Sequence, residues 1–377
     1  MRGLLLTGRF GGGHRSVCRA LEDELAHRGI EMESVDLLEY SLPHASALLY
    51  GGYARMAAHM SALCRLYSRF NDRHLRDVPA PLPGFFAARL YELCCEKRPD
   101  FLLSVLPLCS QIASQMKRRY GSDVTLVSCV TDISDNAEWI NTGTDCYLVG
   151  SESVREALVR KGVRAQDILP AGIPVRRGFS PAAYRVSDGE SRLLVMGGAD
   201  GCLPRGMGFY QQLAALPGVR TTVLTGGNRV LYRKLQGRFA TIEAVEYTDD
   251  VAHYMRRSDA ILTKPGGVSV FEAIRVNCPL LLLPAKLSQE RANAAFVESR
   301  RMGRVLSAGG AAIAAQIGAV LSEGETLRGM RENMRAFSSG LDGAAFDALL
   351  ARPIICFTPV APQEGAAIGR VWNAGRI

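Results

Sequence analysis

Short runs of consecutive apolar residues alternate along the chain with longer stretches whose apolar positions recur every three or four residues. The continuous runs are Leu4–Thr7, Phe101–Leu106, Val124–Val130, Cys146–Val149, Leu193–Met196, Thr222–Leu224, Ala260–Thr263 and Leu280–Leu283. A strand apolar on both faces is covered on both faces, as in parallel sheets flanked by helices. The stretches between predict helices at 15–28, 46–70, 84–97, 109–119, 151–161, 206–216, 249–257, 268–276 and 289–301. This is the pattern of a doubly wound α/β fold. The pattern restarts at Leu193–Gly198, which repeats the strand and glycine turn of Leu4–Gly13. Between the two lies Gly172–Pro181 and a polar stretch to Ser191, the best linker in the chain. Two Rossmann-like units are therefore expected, at 1–175 and 190–345, facing a cleft. Residues 346–377 carry Pro, Gly and Ala without a clear period and predict no defined structure.

Composition narrows this picture. A chain of 377 residues, 47% hydrophobic, can build two cores of ordinary size. No apolar run is long enough to span a membrane, and Leu4–Leu6 is too short for a signal-peptide core, so a cytoplasmic protein is expected. The ten cysteines are scattered without a C-x-x-C pair and away from the histidines, so neither a zinc site nor a disulfide framework is expected. The net charge of +8 suits a phosphorylated ligand or an anionic membrane surface. No nucleic-acid module accompanies it, and no nucleic-acid partner is expected.

The most informative stretch is 264–293. It reads Lys264-Pro265-Gly266-Gly267-Val268-Ser269-Val270-Phe271-Glu272-Ala273, then an apolar run to Pro284, then Ser288-Gln289-Glu290-Arg291-Ala292-Asn293. Ala260–Thr263 runs into a Pro-Gly-Gly turn that opens a helix with a carboxylate in its second turn. The glycines let backbone approach a ligand, and the helix start offers free N–H groups and a positive dipole end, which suit a diphosphate. Ionised Glu272 accepts hydrogen bonds from sugar hydroxyls. Gln289 and Asn293 share a helix face and can present amides to a second sugar. Phosphate, ribose and hexose contacts together describe a nucleotide-sugar pocket. The plainer alternative is an ordinary βαβ turn with Glu272 facing water; the Gln-Glu-x-x-Asn downstream argues against it.

A second glycine loop, Thr7-Gly8-Arg9-Phe10-Gly11-Gly12-Gly13-His14-Arg15-Ser16, follows the first strand and opens a helix. It is neither G-x-G-x-x-G nor a P-loop, so a dinucleotide or ATP site is weakly supported. His14 sits at the start of the helix, on the side where α/β folds bind ligands. A histidine there can serve as general base toward an acceptor hydroxyl; the alternative is a residue that caps the helix or packs in the loop.

Taken together, these segments resemble one family. The chain is similar to GT-B glycosyltransferases of the group holding monogalactosyldiacylglycerol synthases and diacylglycerol glucosyltransferases. It is more distantly similar to the lipid-linked N-acetylglucosaminyltransferase of peptidoglycan synthesis. The resemblance rests on Gly11–Arg15, Val130-Thr131-Asp132 with Trp139, Gly172-Ile173-Pro174-Val175-Arg176, Met196-Gly197-Gly198 and the Lys264–Asn293 block, in the family's order over roughly residues 1–320. It implies a GT-B fold and inverting, metal-independent transfer of a hexose from a UDP-sugar to a membrane lipid hydroxyl, with diacylglycerol the expected lipid. No cofactor is implied. Pro265, Gly266, Gly267 and the helix start with Ser269 would hold the UDP phosphates, and Glu272 the ribose. Gln289, Glu290 and Asn293 would lie near the donor sugar, with Ser288 beside the phosphates. Gly197, Gly198, Gly226, Gly227 and Asn228 would line the nucleotide side. His14 and Asp132 would face the acceptor, with Gly11, Gly12 and Gly13 beneath it and His14 as base. Three positions depart from the family pattern: Asn136 and Leu106 where relatives carry His, and Leu287-Ser288 where they carry Pro-Gly. These departures and the shared architecture keep two alternatives open, a non-catalytic UDP-sugar sensor and a UDP-sugar 2-epimerase-like isomerase.

Leu49, Tyr53, Met56, Met60, Leu63, Tyr67 and Phe70 form an apolar stripe at helical spacing, with Arg55, His59, Arg65 and Arg69 on other faces. Such a helix either packs on the first sheet or lies in the headgroup region of an anionic bilayer. The second possibility agrees with the family's lipid acceptors and implies peripheral attachment to the inner face of the cell membrane.

Overall fold

The structure, a computed structural model, describes residues 1–9, 12–51, 76–78, 80–181, 189–199, 201–285, 287–307, 310–341 and 343–359. Gly11 and the stripe from Tyr53 to Phe70 lie outside the described residues.

The first unit runs β1 (Arg2–Thr7), α1 (Gly12–Ala26), β2 (Glu31–Asp36), α2 (Leu37–Ser41), α3 (Pro83–Lys97), β3 (Phe101–Ser104), α4 (Pro107–Tyr120), β4 (Thr125–Cys129), β5 (Cys146–Val149), α5 (Glu152–Arg160) and β6 (Ile168–Pro170). Its strands form a six-stranded parallel sheet in the order β2-β1-β3-β4-β5-β6. Alternation along β1 explains why its run is apolar throughout. Leu5 packs with Val17 and Leu21 of α1 on one face. Leu4 and Leu6 pack with Leu90 of α3 and Ile112 of α4 on the other. Each such fully buried side chain is worth about 1.5–3 kcal/mol. Local signals set the helix ends: α4 opens on Pro107 and stops at Gly121, whose φ is 62°, and Ser151 caps α5 by accepting from the Val154 N–H.

The second unit runs β7 (Ser191–Met196), α6 (Met207–Ala214), β8 (Val219–Leu224), α7 (Arg229–Leu235), β9 (Ile242–Val245), α8 (Val251–Arg256), β10 (Ala260–Thr263), α9 (Gly267–Arg275), β11 (Leu280–Leu282), α10 (Ser288–Ser299), β12 (Gly303–Val305), α11 (Gly310–Ser322), α12 (Gly324–Ser339) and α13 (Ala344–Leu350). Its parallel sheet has the order β12-β11-β10-β7-β8-β9. That is the strand order of dinucleotide-binding folds, with the reversal between β7 and β10. Phe337 of α12 closes an aromatic group with Phe271 of α9 and Phe296 of α10.

The C-terminal segment, which carries no sequence period, returns to the first unit. Arg28 of α1 pairs with Asp347 at 2.8 Å. Beyond α13 the backbone of Ile355 bonds with Thr125 at the start of β4, and the Phe357 N–H donates to the Pro99 carbonyl. Among the described residues, no helix is long and apolar enough to cross a membrane.

Candidate active site

Ligands of open α/β sheets bind beyond the carboxyl ends of the strands where the strand order reverses. In the first sheet the order reverses between β1 and β3, and in the second between β7 and β10. The loops leaving these strands face each other. A methyl group placed on Gly12, at the start of α1, would lie 2.3 Å from the Ala199 side chain beyond β7. One placed on Gly267, at the start of α9, would lie 2.3 Å from the Thr131 carbonyl beyond β4. Two helix N-termini of eight residues or more, α1 and α9, thus converge on one cleft. The cleft opens to solvent. Gly12, Gly13, Arg15, Ser16 and Arg19 form one wall. Gly198, Ala199, Gly226, Glu246–Asp249, Val268, Ser269 and Glu272 form the other, with Arg176 from the linker.

Hydrogen bonds cross the cleft. Ser16 Oγ donates to Glu272 Oε1 at 2.9 Å. Asn293, 1% exposed, accepts from the Ile133 N–H at 2.7 Å and donates to the Pro265 carbonyl at 2.9 Å. Arg19 reaches Asp249 at 3.4 Å, and Arg176 donates to the Asp249 carbonyl at 3.2 Å.

Known proteins are similar to both units of this chain. A monogalactosyldiacylglycerol synthase family model covers residues 14–175, and a glycosyltransferase family 28 C-terminal domain model covers 211–342. A processive diacylglycerol beta-glucosyltransferase of Bacillus cereus is 26% identical over 363 residues, 92% of this chain and 93% of the relative. The chain is a GT-B glycosyltransferase. A second protein of that name, from Bacillus mycoides, is 26% identical over 348 residues, 88% of this chain and 89% of the relative. Among solved structures, the calicheamicin glycosyltransferase CalG4 aligns with a TM-score of 0.61 at 15% identity, over 93% of this chain and 97% of that one. The Staphylococcus aureus MnaA–UDP co-structure aligns at 0.60 with 11% identity, over 94% and 99%. At such identities these last two establish the fold alone.

The expected site residues of this glycosyltransferase separate into groups. Gly12, Gly13, Gly198, Gly226, Ser269 and Glu272 line the cleft, and Gly266 has open space where a side chain would be. Others serve the loops that build it. Gly197 lies against the Cys202 backbone, and the Gly227 N–H donates to the Ala199 carbonyl. Asn228 caps α7 by accepting from the Leu231 N–H at 3.0 Å. Gly226 adopts φ 55°, and a methyl there would meet the Ala199 carbonyl at 2.5 Å. Pro265 contributes its carbonyl to Asn293. Ser288 Oγ bonds Gln289 at 3.3 Å, and Glu290 accepts from the Leu287 N–H at 3.2 Å, closing the first turn of α10. None of these three lines the cleft. Asn293, expected to offer its amide to a sugar, has both ends engaged by backbone groups.

His14 is displaced from the donor side: it does not line the cleft, and its backbone partner is Val105, at the end of β3. Burial pushes its pKa down to about 4, against a smaller upward pull from the Val105 backbone, and Nδ1 has no partner. Asp132 accepts from the Ser134 N–H and hydroxyl at 3.1 and 2.5 Å, and burial holds its carboxyl above the usual range. Sequence reasoning missed Arg15, Ser16, Arg19 and the Glu246–Asp249 loop. One signal was present, since Gly12, Ser16 and Arg19 recur at helical spacing on one face of α1.

Glu272 is a strongly perturbed acid of the cleft wall. Burial raises its pKa to about 7, partly offset by the Ser16 hydrogen bond and Arg176. Its native value lies above the ordinary 4.5, so the unfolded chain releases this proton first and stability falls as pH rises from 4.5 to about 7. Glu272→Gln is neutral throughout. Thermal unfolding should find it close to wild type at about pH 5 and more stable than wild type at about pH 8. Equal stabilities at both would show that Glu272 carries no buried charge.

Proposed function

We propose that the enzyme transfers a hexose from a UDP-sugar to the hydroxyl of a membrane lipid, with diacylglycerol the first candidate, by an inverting displacement without a metal in the chemical step. The observation that carries this reading is Glu272, a buried carboxylate in the cleft in the second turn of a glycine-opened helix, facing a second glycine-opened helix. A carboxylate there suits ribose hydroxyls, and the N-terminus of α9 suits a diphosphate. The curated relatives, named as processive diacylglycerol beta-glucosyltransferases over nearly their whole length, supply the acceptor class.

The chemistry follows from the two walls. The backbone N–H groups of Gly267, Val268 and Ser269 and the dipole of α9, with Arg176 and Arg15 nearby, stabilise charge growing on the departing UDP. Positive charge from the protein is what supports a metal-free step. His14, neutral at physiological pH and with a free Nδ1, takes the acceptor proton from the side of the first sheet. Attack from that side, opposite the leaving group, inverts the anomeric centre. The positive balance of the chain and the exposed Leu48, Leu49, Leu82 and Phe85 of the first unit support contact with an anionic lipid surface on the cytoplasmic side.

The test is UDP release from UDP-glucose, UDP-galactose and UDP-N-acetylglucosamine, each with and without diacylglycerol in anionic vesicles. Lipid-dependent release with one donor and a glycolipid product is the expected result. UDP-sugar binding without release, whatever the acceptor, would move the reading to a sensor, a role to which Leu106 and Asn136 in place of family histidines would then point.

A further inference from the structure

Two donor-side groups, Glu272 and Asn293, accept hydrogen bonds from the opposite wall. Ser16 Oγ on α1 donates to Glu272 Oε1 at 2.9 Å, and the Ile133 N–H beyond β4 donates to Asn293 Oδ1 at 2.7 Å. The Ser16 O–H is the donor type a sugar hydroxyl supplies, whereas the Ile133 donor is a backbone N–H. The walls come this close because Gly13 lies against Val268, where a methyl would sit 3.3 Å from its side chain, and Gly267 lies against Thr131. A buried carboxylate without a donor is costly, and Ser16 supplies the kind of donor that a ribose hydroxyl would otherwise supply.

We propose that Ser16 is a positioning residue of the donor site, a surrogate for the ribose hydroxyl that holds Glu272 in the empty cleft and yields it to the arriving nucleotide. This rests on the reading of Glu272 as the ribose partner. Ser16 then stabilises the empty state more than the filled one, so it weakens nucleotide binding and makes closure respond to occupancy. A ligand shifts a conformational equilibrium only through such a difference between states. The pKa of Glu272 is consistent with the arrangement: Ser16 pulls it down against the effect of burial.

The experiment is a double-mutant cycle on the full chain, with UDP affinity measured by titration calorimetry. Ser16→Ala should tighten UDP binding by about three- to tenfold, the range of one net hydrogen bond. Ser16→Thr, which keeps the hydroxyl, should restore wild-type affinity. Glu272→Gln should weaken UDP binding, and in that background Ser16→Ala should have little further effect, because the two act through one contact. Unchanged or weaker binding by Ser16→Ala in the folded protein overturns the surrogate. UDP binding untouched by Glu272→Gln overturns the ribose reading, and the surrogate with it. The two failures are read from different variants.

Discussion

His14→Ala is expected to lower kcat by ~10²–10⁴-fold, the span of a lost general base, while UDP still binds. The split follows from where the ring sits. His14 is at the reversal of the first sheet, beside Val105, and does not line the donor wall. Burial keeps it neutral down to about pH 4, and Nδ1 has no partner. A neutral imidazole with a free nitrogen can accept a proton, whereas a histidine engaged at both nitrogens cannot. The acid limb assigned to His14 should therefore lie far below the ordinary 6.5, toward about 4. Lipid-dependent turnover of the variant, with UDP affinity measured alongside, decides the matter. Retained kcat would pass the base role to another group on the acceptor side, of which Asp132 is the nearest expected one.

How far this site was legible depends on whether a residue's role is local. The inner strands β1, β3, β4, β5, β7, β8, β10 and β11 each carry a buried apolar stretch, confined in β8 to its last residues, and each was anticipated. The outer strands were not. β2 reads Glu31-Met32-Glu33-Ser34-Val35-Asp36 at the edge of the first sheet, and β6, β9 and β12 are only three or four residues long. An edge strand half open to water carries no continuous run to find. The same division holds in the cleft. Gly12, Gly266 and Glu272 are visible because a strand, a glycine turn and a helix follow one another in the chain. Ser16, Arg176 and Asp249 gain their places when elements far apart in sequence pack together, as do the bonds of Asn293. Apart from the helical spacing of Ser16 with Gly12, little local marks their roles in the cleft. The return of Ile355 and Phe357 to the first unit is likewise set by partners, Thr125 and Pro99, on the other half of the molecule.

Gly267 separates the two uses a glycine can have. Its sequence context suggests room for a phosphate, but the structure puts the opposite wall there: a methyl would lie 2.3 Å from the Thr131 carbonyl and 3.0 Å from Asp132 Cα. Both are backbone atoms of the acceptor loop and cannot rotate away. Gly267→Ala should therefore hold the walls apart by about an ångström, and misplacement on that scale costs on the order of 10²-fold in rate. The second unit itself should not suffer, since alanine in a helix is favoured over glycine by about 0.5–1 kcal/mol. Loss of kcat with intact UDP binding and an undiminished melting temperature is the expected combination. Gly329→Ala, within α12 with open space around it, provides the control for a helical glycine substitution. Small-angle scattering should show Gly267→Ala more extended than wild type. If the variant turned over at the wild-type rate, closure as tight as this structure shows would not be the state in which sugar is transferred. The contacts of Ser16 and Asn293 would then belong to a resting form. Loss of activity would instead place the close approach of Gly267 to Thr131 on the catalytic path, with the glycine's missing side chain serving the fit between the two walls.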